Sequence, residues 1–266
     1  KSIRKFCGFV IVLNPRIIPV LLISDGDLYK TINFKEPKYV GDPLNTVRIL
    51  NEKEVDELIV LDITASQEKT PLDWELISHI SRECRMPLCY GGGIESFEEI
   101  EKLISFGVEK VAIGRTSFLN PSVIKKAVKS FGSQSIVGVL DVKKIGFRKN
   151  YEAFVLRGTK RTKMNHVEYA KYLINLGVGE ILLQNIDLDG KMKGFDIQLI
   201  NDVYTNINIP LTVLGGAGTF EDLKRLIHKF QILGIAAGSI FIFKGKHKAV
   251  LINYPDPKQK NLIINK

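Results

Sequence analysis

Short apolar runs alternate along this chain with longer stretches in which apolar positions recur every three or four residues. The runs Ile17–Ile23, Glu57–Asp62, Pro87–Tyr90, Lys110–Ile113, Ile136–Asp141, Glu180–Gln184, Leu211–Leu214 and Ile235–Ala237 predict eight strands. Between them, Pro43–Glu52, Trp74–Cys84, Phe97–Phe106, Ser122–Ser130, Asn165–Leu176, Ile197–Thr205 and Phe220–Lys229 have the length and period of helices. Strands that are apolar throughout, each followed by a helix, belong to a parallel sheet covered on both faces. Eight such units in 266 residues predict an α/β protein closed into a (β/α)8 TIM barrel rather than an open sheet.

The pattern also repeats. Tyr90-Gly91-Gly92-Gly93-Ile94 is echoed by Leu214-Gly215-Gly216-Ala217-Gly218, and Ala112-Ile113-Gly114-Arg115 by Ala236-Ala237-Gly238-Ser239, at one and the same separation. Asp62 and Asp187 stand at nearly that separation too. Two half-barrels of four strands each account for this. Each glycine turn falls between a strand and a helix, where backbone N–H groups can converge on a phosphate near the positive end of a helix. In barrels the usual phosphate place is the loops after strands 7 and 8. Gly215, Gly216, Gly238 and Ser239 occupy it here, and Gly92, Gly93 and Gly114 hold the same place in the other half. Two cradles on opposite sides of one mouth fit a substrate phosphorylated at both ends. Glycines that merely allow tight turns are the plainer alternative.

Composition adds limits. The chain is 45% hydrophobic and 25% charged, ordinary for a globular fold, so disorder and coiled coil are excluded. The net charge of +9 comes from lysines scattered along the chain, without the clustered basic face that nucleic acid requires. No apolar stretch approaches the length of a membrane span. Residues 1–15 read as an appended arm, 16–254 as one barrel domain, and 255–266 as a basic, solvated tail. Cys7, Cys84 and Cys89 are an odd number without metal-ligand spacing, so the expectation is a reducing cytoplasm, no metal and no cofactor. His79, His166, His228 and His247 likewise lack ligand spacing.

Acid–base candidates are carboxylates at the carboxyl ends of strands: Asp62, Asp141, Asp187 and Asp189, with Asp25 in the first loop. Each has a bland counterpart, since aspartate caps helices and loops well.

The ordered set Arg16-Ile17-Ile18-Pro19, Asp25-Gly26, Lys30-Thr31-Ile32-Asn33-Phe34, Gly41-Asp42-Pro43, Leu61-Asp62-Ile63-Thr64-Ala65-Ser66, Phe131-Gly132-Ser133-Gln134, Gly179-Glu180-Ile181-Leu182-Leu183 and Ile186-Asp187-Leu188-Asp189-Gly190 resembles the cyclase subunit of imidazole glycerol phosphate synthase, the HisF family. The resemblance runs from Arg16 to about Phe243. It implies a duplicated half-barrel, a bis-phosphorylated substrate and a partner of the HisH kind, a glutamine amidotransferase that supplies ammonia. It implies substrate contacts at Lys30, Gly92, Gly93, Gly114, Arg115, Asp189, Gly190, Gly215, Gly216, Gly238 and Ser239. In that family two aspartates act as acid and base. Asp141 matches one; the other position is Leu22, which can neither give nor take a proton. Gly114-Arg115, Gln184-Asn185 and Leu214 also depart from polar family residues.

At the amino-terminal face, Arg16, Glu57, Lys110 and Glu180 match the family's charged ring, through which ammonia enters. A salt-bridged plug is the structural alternative. Pro37–Pro43, Cys89–Gly93 and Phe243–Pro255 are similar to a branch that modifies acetamidino sugars of surface polysaccharide, which implies a sugar-modifying partner. Three functions remain: ammonia-dependent nitrogen transfer to a phosphorylated or sugar-type acceptor, the histidine-pathway cyclase reaction itself, and a silent scaffold that activates the amidotransferase.

Overall fold

The computed structural model describes residues 2–6, 9–13, 15–65, 70–147, 150–230, 234–245, 247 and 249–265. Eight strands form the barrel: β1 (Arg16–Ser24), β2 (Leu58–Asp62), β3 (Leu88–Gly91), β4 (Lys110–Ile113), β5 (Ile136–Ile145), β6 (Glu180–Asn185), β7 (Leu211–Leu214) and β8 (Gly234–Ala237). Each pairs in parallel with the next, and β8 returns to β1 with Ile235 opposite Ile17, which closes the sheet. The predicted (β/α)8 barrel is the fold.

The helices of eight residues or more among the described residues are α1 (Pro43–Glu52), α2 (Trp74–Glu83), α3 (Phe97–Ser105), α4 (Pro121–Phe131), α5 (His166–Leu176), α6 (Ile197–Asn206), α7 (Phe220–Phe230) and α8 (Pro257–Ile264). Their starts follow local chemistry. Ser96 with Glu99 and Asn165 with Glu168 form reciprocal capping boxes, and Asp42, Asp73 and Asp196 cap α1, α2 and α6. Period-2 alternation on each strand divides the apolar residues into two cores. Outward residues such as Ile17, Leu58, Val111, Ile136 and Ile181 meet the helices, while Ile18, Val20, Leu22, Ile59, Cys89, Ala112, Val137, Leu182, Leu214 and Ala236 fill the axis.

Several features escape the apolar-run pattern. Asp27–Ile32 and Lys35–Gly41 form a hairpin on β1, and Asn150–Val155 and Lys160–Asn165 extend β5 into a three-stranded antiparallel flap. These segments are half polar, which hides them from a search for buried strands. Ser2–Phe6 and Phe9–Leu13 pair with each other in a separate sheet. The segment read as a solvated tail folds instead into α8, started by a capping box of Asp256 and Gln259 and bearing on α7 with Ile263 buried. Of the cysteines, Cys89 is buried and Cys84 half-buried, while Cys7 lies outside the described residues. Trp74 meets Phe106 edge-on at the start of α2, as a lone tryptophan holding a helix to the core should.

Candidate functional site

The barrel axis has chemistry at both ends. At the amino-terminal end, four charged side chains close a ring. The Arg16 guanidinium bonds Glu57 Oε2 and, at 2.7 Å, Glu180 Oε1. Lys110 Nζ lies 2.9 Å from Glu57 Oε1 and 2.9 Å from Glu180 Oε2. Each carboxylate therefore bridges both cations. Burial alone raises the pKa of Glu180, but the charges of Arg16 and Lys110 outweigh it and hold the group at about 2. The four residues named from the sequence are brought together.

A fifth member was not legible. Thr212, fully buried on β7, donates its hydroxyl hydrogen to Glu180 Oε1 and accepts from Arg16 Nη2 at 3.3 Å. Gly234 makes room for it, since a Cβ there would stand 2.0 Å from Thr212 Oγ1. Inward alternation along β7 is the signal that locates this threonine.

At the carboxyl end two cavities open side by side, and Leu22, Thr31 and Gln184 line both. The larger, about 930 Å³, holds Asp62, Gly92, Gly93, Gly114, Arg115 and Asp141. The smaller, about 430 Å³, holds Lys30, Asp189, Gly190, Gly215, Gly216, Gly238 and Ser239. The two glycine-loop sets thus fall on opposite sides of one mouth, each with its own pocket.

Asp141 stands where β5 leaves the barrel, opposite Gln184 on β6 and Phe154 on the flap. Its Oδ1 is shielded from solvent and has no hydrogen-bond partner. Burial, with the Asp189 charge adding to it, raises its pKa to about 7. Leu22 occupies the axial position on β1, only 8% exposed, within the apolar cluster that fills the axis. Asp25 does not replace it: its side chain is exposed on the hairpin turn, beyond the end of β1.

The other aspartates divide by environment. Asp62 Oδ1 accepts the N–H groups of Thr64 and Ala65 at 2.9 and 2.8 Å, so it caps the loop after β2. Asp187 accepts the Lys144 N–H at 2.8 Å and holds the flap. Asp189 is half-buried beside the buried Lys30; desolvation raises its pKa and the Lys30 charge opposes that. Lys30 Nζ donates to Val20 O at 2.6 Å, and burial lowers its pKa to about 8 against the pull of Asp189.

The amine fills space that glycine leaves, because a Cβ on Gly238 would lie 2.1 Å from Nζ. The helix after Gly238 spans only Ser239–Ile242, so the cation here comes from Lys30 rather than from a helix end. Gly92 has a structural requirement of its own: at φ +105°, its Cβ would sit 2.1 Å from the Asp62 carbonyl oxygen. In the larger cavity Arg115 pairs with Glu95 at 2.7 Å. Arg157, which no motif announced, lines the same cavity and donates to the Ile63 and Phe34 carbonyls at 3.2 Å each. Among the described residues no cluster of His, Cys, Asp and Glu fits a metal ion, and no helix is long and apolar enough to cross a membrane.

Comparison with known proteins places this arrangement in a class. The family model described as "Histidine biosynthesis protein" matches residues 16–248. A Leptospira interrogans protein, provisionally named imidazole glycerol phosphate synthase subunit HisF, is 48% identical over 252 residues, covering 95% of this chain and 99% of its own. The imidazole glycerol phosphate synthase subunit HisF of Lactococcus lactis subsp. lactis is 38% identical over 230 residues, 86% and 89% of the two chains. That of Natranaerobius thermophilus is 37% identical over 247 residues, 93% and 98%. The chain belongs to the histidine biosynthesis protein family and, within it, to the HisF group of cyclase-type enzyme subunits.

Two outcomes follow from the ionisations. Asp141 binds its proton more tightly folded, at about 7, than at the ordinary 3.8, so the native state loses stability as pH rises between those values. Asp141→Asn flattens that decline, and urea unfolding across a pH series reads it; an unchanged slope contradicts the buried carboxyl. Glu180 has the opposite sign, and its contribution is lost as pH falls from 4.5 toward about 2. Glu180→Gln leaves Arg16 and Lys110 undercompensated, lowers stability at neutral pH by about 3–5 kcal/mol and removes that acid limb.

Proposed function

We propose that this chain is the synthase half of an ammonia-using pair. A glutamine amidotransferase of the HisH kind docks at the amino-terminal face, ammonia passes the ring Arg16, Glu57, Lys110 and Glu180, and it travels the axis to a substrate phosphorylated at both ends. The observation that carries this reading is the alignment on one axis of a self-paired charged ring, an apolar interior and Asp141 with its unbonded oxygen. Neutral ammonia tolerates an interior lined by Ile18, Leu182 and Ala236, whereas ammonium loses its hydration there at great cost. The pairing inside the ring also leaves little net charge to attract ammonium.

At the mouth, Lys30 with Gly238–Ser239 on one side and Gly92, Gly93, Gly114 and Arg115 on the other are the candidate phosphate holders. Ammonia adds through its lone pair to a carbonyl carbon; the oxygen gains a proton and the new nitrogen loses one. A carboxyl with a pKa of about 7 serves either transfer near neutrality, which is the task assigned to Asp141. The names of the relatives favour imidazole glycerol phosphate chemistry, the second of the three sequence-based functions.

One observation favours a different acceptor, of sugar type and shared with a sugar-modifying partner: Leu22 stands where the family places the second proton-handling carboxylate. Loss of one positioned acid–base group costs about 10²–10⁴ in rate.

Supplying the histidine-pathway substrate with an ammonium salt tests the choice. Imidazole product that disappears in Asp141→Asn is the expected result. Binding without turnover transfers the site to the sugar-type acceptor. Absence of binding contradicts the cyclase reading, and if inorganic phosphate and phosphorylated sugars do not bind either, an activating scaffold is left.

A further inference from the structure

The chain's last helix reaches back to the ring. The β1–β2 ladder begins at the Val20–Ile59 pair, above Ile17, so the polar groups of Ile17 have no strand partner on that side. Asp56 and Tyr254 supply one. Asp56 Oδ2 accepts the Ile17 N–H at 2.9 Å, and the Tyr254 hydroxyl donates to Ile17 O at 2.9 Å. The Asp56 N–H in turn reaches the Tyr254 oxygen at 3.4 Å. Lys260, in the first turn of α8, bonds the remaining carboxylate oxygen, Asp56 Oδ1. Tyr254 is buried, its ring tilted against that of Phe241 at 5.5 Å, so its hydroxyl has little freedom to move.

The two backbone sites held this way adjoin the ring. Ile17 follows Arg16, and Asp56 precedes Glu57, the two members joined by the Arg16–Glu57 ion pair. We propose that the C-terminal segment is a positioning clamp for the ring: Tyr254 and Lys260, acting through Asp56, fix the backbone that carries Arg16 and Glu57 and thereby keep the ring closed. Both belong to the amino-terminal rim, the face a partner delivering ammonia must cover. Displacement of Lys260 from Asp56 on docking is then a direct way to loosen the ring. This inference rests on the gate reading, and its test separates the two.

Cys89 provides the probe. It faces the axis beside the ring, paired in register with Lys110, and is 2% exposed. Cys84, half-buried at the end of α2, serves as the internal reference. The full chain is treated with methyl methanethiosulfonate, and modification of each cysteine is followed by peptide-resolved mass spectrometry. Arg16→Ala, which breaks the ring directly, should speed Cys89 labelling. Tyr254→Phe and Lys260→Met should speed it several-fold with Cys84 unchanged, and Lys260→Arg should restore the slow rate. Acceleration at both cysteines together would signal general loosening and overturn the clamp. So would an unchanged Cys89 rate in Tyr254→Phe and Lys260→Met while Arg16→Ala responds. If Arg16→Ala itself leaves Cys89 protected, the ring is not the barrier and the gate reading falls.

Discussion

Two carboxylates buried in the base of a barrel, Glu57 and Glu180, must be answered by cations, because an unpaired buried ion costs several kcal/mol, and the half-buried Arg16 and Lys110 answer both. That constraint shapes more of this molecule than the ring alone. Arg16, Glu57, Lys110 and Glu180 each begin a strand or precede it, so their mutual pairing locks the relative height of β1, β2, β4 and β6. Thr212 and the bare α-carbon of Gly234 adapt β7 and β8 to the same ring. The register of the sheet is thereby tied to an electrostatic arrangement at one end, and everything at the other end inherits its position from it.

At that other end the arrangement is asymmetric. Asp141 and Lys30 are both held away from their ordinary ionisation by burial, in opposite directions, so that a neutral carboxyl and a neutral amine become accessible near physiological pH. Leu22 between them removes the charge that a second carboxylate would add, and that is part of why the Asp141 shift is set by burial and Asp189 rather than by a facing partner. Specificity at such a mouth depends on which polar groups find partners in the bound substrate, since those left unpaired are penalised most.

The barrel was legible because buried strands of parallel sheet are continuous apolar runs; the ring was named through the family resemblance, whose charged positions fall where those runs open. The two glycine-loop sets were legible from the repeat, and the structure gives each its own cavity at the mouth. What escaped was whatever depends on chain reversal in half-polar segments. The flap that brings Arg157 to the larger cavity, the hairpin that brings Lys30 over Gly238, and the docking of α8 through Lys260 and Tyr254 all join residues far apart in sequence by single side-chain contacts. Asp62 shows the reverse. Its place at a strand end advertises chemistry, but the Thr64 and Ala65 amides engage its Oδ1 in loop capping.

The claim on which these relations converge is that nitrogen reaches the mouth along the axis rather than from solvent. Glutamine labelled with ¹⁵N in its amide, given to the complex with the amidotransferase in a large excess of unlabelled ammonium, measures this directly. Product nitrogen that stays almost wholly ¹⁵N is the result expected of an enclosed route. Label diluted to the proportion present in the bulk solution would contradict it.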